Sequence, residues 1–289
     1  MKTIIVPLDL STESLAGLDL ALMLADKTGA NIQMVHVIGK NDDTNNELLK
    51  KEHQLIKIKI EDILQKCKEK SNFKCNMSFV IKEGKIFKEI TDMADKYDDA
   101  VIVLSTHGES GFEELFIGGN AYKIVSHSRI PVITIRGNKI PFSIDKMVLP
   151  LDITFQSREK IPYTVKLAKY FNSEIHIVTV RLSNFVDVEK KILQYSKQAI
   201  SYIEKHGITF TVEHLQGDNL TDMTIDYART INADLISIMT DQEKSISNLL
   251  LGSYAHQMIN KASIPVLSFP THQITLATDG FRTMGIDNS

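Results

Sequence analysis

Two cysteines in 289 residues, Cys67 and Cys75, are too few to staple a chain of this size, and they sit in a Lys-rich segment without CxxC spacing or neighbouring ligands for zinc. They read as reduced thiols, and a cytoplasmic location is expected. Seven prolines and 14 glycines exclude a collagen-like or low-complexity polymer. No apolar run approaches the roughly 20 residues of a membrane span. The opening MKTIIVPLDL runs directly into a strand-like segment containing a proline and a carboxylate, so no membrane partner and no export are expected. An excess of basic charge is also missing. Lys+Arg 33 against Asp+Glu 36 gives a net charge of -3, which supplies no general pull on nucleic-acid phosphates, and no nucleic-acid partner is expected.

What is present is a globular composition, 43% hydrophobic and 24% charged, in a chain long enough for two ordinary domains. The chain is also internally repeated. Residues 4–11 read IIVPLDLS and residues 147–154 read MVLPLDIT, so Pro7 matches Pro150 and Asp9 matches Asp152. SRIPVITI at 128–135 matches ASIPVLSF at 262–269, with Pro131 on Pro265 and Gly118 on Gly252. The spacing shortens between these anchors, and the polar stretch GKNDDTNNE is the expected site of the length change, because a solvated loop absorbs it cheaply. The expected domains are 1–140 and 141–270, joined near Gly137–Ser143, with 271–289 a C-terminal tail.

In the first half, apolar runs at IIVPL, IQMVHVI, NMSFVIKEG, AVIVLST and PVITI read as strands. Helical spacing is found from Ser11 to Thr28, Asn46 to Lys70, Ile86 to Tyr97 and Gly118 to Ser128. The second half repeats the order through MVLPL, EIHIVTV, ITFTVEHL, LISIMT and PVLSF. Strands that read as continuous apolar runs and alternate with helices argue for two α/β domains, each a doubly wound, Rossmann-like parallel sheet of about five strands.

In such a sheet ligands bind at the carboxyl ends of the strands, where the winding reverses. Three segments fall there: VPLDLS, the end of the second strand with Val37, and LSTHGESGFEELFIGGNA after the fourth. The last combines a glycine-bearing loop with Gly118-Gly119 at a helix start, so bare N–H groups and a helix dipole face any phosphate. It fits neither a P-loop nor a dinucleotide fingerprint. Asp9 could accept a hydrogen bond from an amine or ribose hydroxyl. Ser11 or Thr12 can cap the following helix, so Asp9 is not needed as the cap. His107 has no acid partner in sequence and reads as a polar turn residue, and His36, mid-strand, reads as core.

The residues VPLDLSTES, the VHV strand, the turn VIKEG and above all THGESGFEELFIGGNAYKIVSHSRIPVITI resemble the universal stress protein family, in two copies spanning nearly the whole chain. Nucleotide-binding members carry G-x2-G-x9-G-[ST]. Laid on this sequence, the pattern falls on Ser105, Gly108, Gly118 and Gly119, so the first and last positions depart from it. The resemblance implies ATP or AMP as ligand, with Mg if ATP. Pro7, Leu8 and Asp9 would border the adenine, Val37 the base and ribose, and Leu104, Ser105, His107, Gly108, Gly118, Gly119, Asn120 and Ala121 the ribose and phosphates. It also implies that last strands pair across a two-fold, so a tandem chain would form an internal pseudo-dimer, with a further homodimer as an option.

The second half places Met239, Gln242, Gly252 and Ser253 on the same pattern and adds Asp241 and Glu243, which bring bulk and like charge toward a phosphate. One nucleotide per chain, in the first half, is the expectation. The leading function is a nucleotide-responsive stress protein with an unidentified protein partner, without catalytic or metal-ligating residues. The alternatives are a slow magnesium-dependent ATPase and an interaction module that binds no nucleotide.

Overall fold

The computed structural model describes residues 1–39, 46–70, 75–106, 118–137, 140–154, 156–181, 186–240, 243–244 and 249–270. The chain divides into two compact units, Met1–Ile140 and Pro141–Ser289.

The first unit runs β1 (Thr3–Pro7), α1 (Thr12–Thr28), β2 (Asn31–Ile38), α2 (Asn46–Lys70), β3 (Met77–Glu83), α3 (Ile86–Ala94), β4 (Ala100–Ser105), α4 (Gly119–His127), β5 (Val132–Ile135). Its strands lie in the order β3-β2-β1-β4-β5 and all pair in parallel. The chain winds outward from β1 through β2 to β3, then crosses back and continues through β4 to β5. The reversal therefore lies between β1 and β4, and their carboxyl ends border a crevice. The central strands are buried on both faces, as the continuous apolar runs require: Ile4, Ile5, Val6 and Val101, Ile102, Val103 are all fully enclosed. Edge strand β3 is mostly half-buried.

Local chemistry sets the boundaries. Ser11 caps α1 by accepting from the Ser14 amide at 3.1 Å, and Gly29, at φ 70°, ends the helix in the left-handed region that glycine tolerates. Gly17 lets α1 lie against β4, since a Cβ there would come 3.3 Å from the Ser105 nitrogen. Helix α3 stops at Ala94, short of the expected Tyr97. Asp99 must reach back to accept from the amides of Lys2 and Thr3 at 2.8 and 3.3 Å, so the chain turns off the helix axis first.

The second unit runs β6 (Lys146–Leu151), a 3-10 turn (Gln156–Arg158), α5 (Ile161–Phe171), β7 (Glu174–Arg181), α6 (Val186–Lys205), β8 (Phe210–Gln216), α7 (Leu220–Thr230), β9 (Leu235–Met239), β10 (Glu243–Lys244), β11 (Leu249–Leu250), α8 (Ser253–Lys261), β12 (Val266–Phe269). Its parallel order, β8-β7-β6-β9-β12, repeats the winding of the first unit. In addition, β10 and β11 form a short antiparallel ribbon that is not among the five strands expected in this half. The length change between the repeats is not confined to the loop after the second strand: α2 has 25 residues and α6 has 20. A Lys- and Glu-rich helix has a solvated face and absorbs added turns as readily as a loop does.

Candidate functional site

The carboxyl end of β1 begins the site. The backbone of Leu10 takes φ 69°, unusual for a residue with a side chain, so the chain turns sharply between β1 and α1. Asp9 holds that turn: its Oδ1 accepts from the Ser11 amide at 3.0 Å and from the Ser11 hydroxyl at 2.5 Å. Burial pushes the Asp9 carboxyl up, but the hydrogen bonds from the Ser11 hydroxyl and amide and the Ser14 hydroxyl outweigh it, and the net displacement is downward. Ser11 is the cap, and Asp9 fixes the cap in place. Asp152 repeats the arrangement with the Thr154 amide and hydroxyl, so the turn alone accounts for an aspartate at both positions.

The next border is β2. The Leu8 amide donates to the Val35 carbonyl at 2.9 Å, the last rung of the β1–β2 ladder, and the register stops at Pro7↔Val35. In a parallel strand the N–H and C=O of one residue point the same way, and those of every second residue share a side. Val37 therefore directs both its donor and its acceptor toward the β1 side, beyond the end of β1. His36, read from sequence as core, is half-buried, and its Nδ1 donates to the Leu8 carbonyl at 2.7 Å.

The third border is the β4–α4 connection. The Gly118 amide donates to the Thr106 carbonyl at 2.7 Å, closing a neck between the end of β4 and the start of α4. That bond corrects one expectation: the Gly118 N–H is engaged in the neck and is not available to a phosphate. The first rung of α4 is Tyr122 N–H to the Gly118 carbonyl at 2.9 Å. The amides of Gly119, Asn120 and Ala121 precede it and stand outside the helical ladder, at the positive end of the dipole. A Cβ on Gly118 would lie 3.1 Å from the Thr106 oxygen, whereas one on Gly119 would meet nothing within 4 Å.

These three borders enclose one cavity of about 280 Å³. Of the residues expected from sequence, Pro7, Leu8, Asp9, Val37, Leu104, Ser105, Gly118, Gly119, Asn120 and Ala121 line it. His107 and Gly108 lie outside the described residues. Sequence reading missed Ser14, Val35, Ile86, Ile90, Thr106 and Ile124. The apolar i, i+4 pair Ile86/Ile90 at the start of a helix that follows a strand was the available signal, since that end of α3 faces the crevice. Among the described residues, no cluster of three or more His, Cys, Asp or Glu side chains could hold a metal ion, and no helix is long and apolar enough to cross a membrane.

The corresponding place in the second unit is nearly filled. Pro150, Leu151, Asp152, Ser157, Lys160, Leu220, Met239 and Tyr254 surround about 10 Å³. In the repeat Lys160 stands where the first unit has Gly17. This residue is 2% exposed, and its Nζ donates to the Ser157 carbonyl at 2.6 Å. Asp241 and Gln242 lie outside the described residues, and the neck of the first unit is repeated by Gly252 N–H to the Thr240 carbonyl at 3.0 Å.

The universal stress protein family model matches residues 1–136 and again 143–270. The chain belongs to the universal stress protein family. A universal stress protein of Synechocystis is 23% identical over 93% of this chain and 100% of its own length. A second, from Methanocaldococcus jannaschii, is 27% identical over 42% of this chain and 79% of its own length. The crystal structure of a universal stress protein from Archaeoglobus fulgidus superposes with a TM-score of 0.75 at 18% identity, covering 93% of this chain and 98% of that one, which is a likeness of fold. The match in two successive segments makes this a tandem universal stress protein, with the repeats read from Pro7/Pro150 and Pro131/Pro265 as its two copies.

Proposed function

We propose that the first unit binds an adenine nucleotide, ATP or AMP, and that this chain is a nucleotide-responsive stress protein whose occupancy alters its stability or its protein contacts. The observation that carries the reading is the convergence of two kinds of backbone group on one cavity. Val37 offers an N–H and a C=O side by side, a pairing that complements the N1 acceptor and the 6-amino donor of adenine. The valine and isoleucine side chains at Val35, Ile86 and Ile90 supply apolar surface for the base. At the other end, the amides of Gly119, Asn120 and Ala121 point from the first turn of α4 and suit phosphate oxygens. Magnesium would accompany ATP through its phosphates; among the described residues the cavity holds one carboxylate, Asp9, and its Oδ1 is occupied by Ser11.

The test is thermal unfolding of the full chain with ATP, AMP and GTP, paired with an ATP turnover assay with and without magnesium. The reading expects adenylates to raise the midpoint in proportion to the logarithm of their concentration above Kd. GTP should shift it far less, and turnover should be negligible. No shift with any adenylate contradicts it, and magnesium-dependent turnover would favour an ATPase.

A further inference from the structure

We infer that His36 is a positioning residue that fixes base specificity by ending the β1–β2 ladder one rung early; this rests on the nucleotide reading of the cavity. A parallel ladder alternates its bonds, so after Leu8 N–H to the Val35 carbonyl the next rung would be Val37 N–H to the Leu8 carbonyl. The ladder does not make that rung: β1 ends at Pro7 and the register goes no further than Pro7↔Val35. The Leu8 carbonyl is met by the His36 side chain, at 2.7 Å. A carbonyl can only accept, so the imidazole carries its proton on Nδ1. The ring thus substitutes for the backbone donor next to it in sequence and leaves the Val37 N–H directed into the cavity beside its own C=O. Without the imidazole, the Leu8 carbonyl would recruit the Val37 amide, and the donor half of the base-reading pair would be lost while the cavity walls and the phosphate end stayed as they are.

Two variants separate this role from a general loss of packing. His36→Leu removes the donor. His36→Asn keeps an N–H at nearly the position of Nδ1. Isothermal titration of the full chain compares ATP with inosine triphosphate, whose base edge exchanges donor for acceptor at the two positions that Val37 would read. The parent should prefer ATP. His36→Leu should weaken ATP about tenfold, the loss of one well-placed hydrogen bond, and leave inosine triphosphate within about twofold. His36→Asn should restore the preference. An unchanged ratio in His36→Leu, equal weakening of both nucleotides, or an asparagine variant no better than leucine overturns the inference. Amide hydrogen exchange at Val37, read by NMR without nucleotide, is independent of the proposed function. His36→Leu should slow it about tenfold or more relative to the parent and His36→Asn, and unchanged exchange overturns the inference. If the parent binds neither nucleotide, the proposed function fails while the exchange measurement still decides whether His36 holds the Val37 amide free.

Discussion

Asp9 shows how one side chain can look like a ligand and serve as a brace. Its Oδ1 accepts two hydrogen bonds from Ser11, and the left-handed Leu10 lies between the two residues. Asp9→Ala should therefore lower stability by about 1–2 kcal/mol in urea unfolding, because the turn loses its acceptor, and Asp9→Asn should recover part of it. The sign with pH follows from the depressed folded-state carboxyl: its contribution is present above the unfolded pKa near 3.9 and is lost as pH falls through the lower folded value. Equal stability in Asp9→Ala and parent would contradict the bracing role. His176 in the second unit is a buried ionisable group with no counterpart in the first, where Gln33 bonds to Ser78 at the same place. Its Nδ1 lies 2.9 Å from the Tyr227 hydroxyl and 2.8 Å from that of Thr211. Burial pulls its pKa down against the opposing pull of Glu174. The unfolded state then binds the proton more tightly, so stability should decline as pH falls from about 6.5 toward the folded value. Unfolding midpoints from pH 7.5 to 5 should decline less in His176→Gln than in the parent, and identical slopes would exclude this histidine as the cause.

At the scale of the element, the start of α4 would hold the phosphates in the proposed site, and the two glycines there, Gly118 before the helix and Gly119 opening it, have different surroundings. Gly118 gives its amide to the loop neck and has the Thr106 oxygen close to where a Cβ would stand, whereas Gly119 faces open space. Gly119→Ser should strengthen ATP binding about threefold by adding a hydroxyl donor, and Gly118→Val should weaken it at least tenfold by displacing the neck. A titration in which Gly119→Ser weakens binding would contradict this assignment of the helix start. The elements themselves were legible because buried parallel strands must be continuous apolar runs, and IIVPL, IQMVHVI and AVIVLST are such runs. The repeat of Pro7 and Pro131 in Pro150 and Pro265 made the tandem organisation legible too. The His36 bond was not, because it joins a side chain to a carbonyl on another strand, and periodicity carries no such information. The Gly118 bond was hidden likewise: a glycine before a helix looks the same whether its amide faces a ligand or a loop neck. The extra turns of α2 escaped notice because solvated helix and solvated loop have similar composition.

At the scale of the whole molecule the two units share a winding order and differ in their crevices. One has a cavity of about 280 Å³ and the other about 10 Å³. The expectation of asymmetry rested on the bulk of Met239 and Gln242 and the charge of Asp241 and Glu243. Within the described residues Met239 does border the second crevice, and Lys160 and Tyr254 contribute bulk that sequence reading did not assign to it. Lys160 was missed because a lysine is normally read as solvated, and here its ammonium is buried against the Ser157 carbonyl. A duplicated fold can thus keep one crevice open and narrow the other with larger side chains, Lys160 among them where its twin has Gly17. Isothermal titration of the full chain with ATP tests this most directly: the account predicts saturation at a single nucleotide per chain, with binding weakened by Gly118→Val and unaffected by Ser253→Val. Two nucleotides per chain, or binding that survives Gly118→Val and is lost in Ser253→Val, would contradict it.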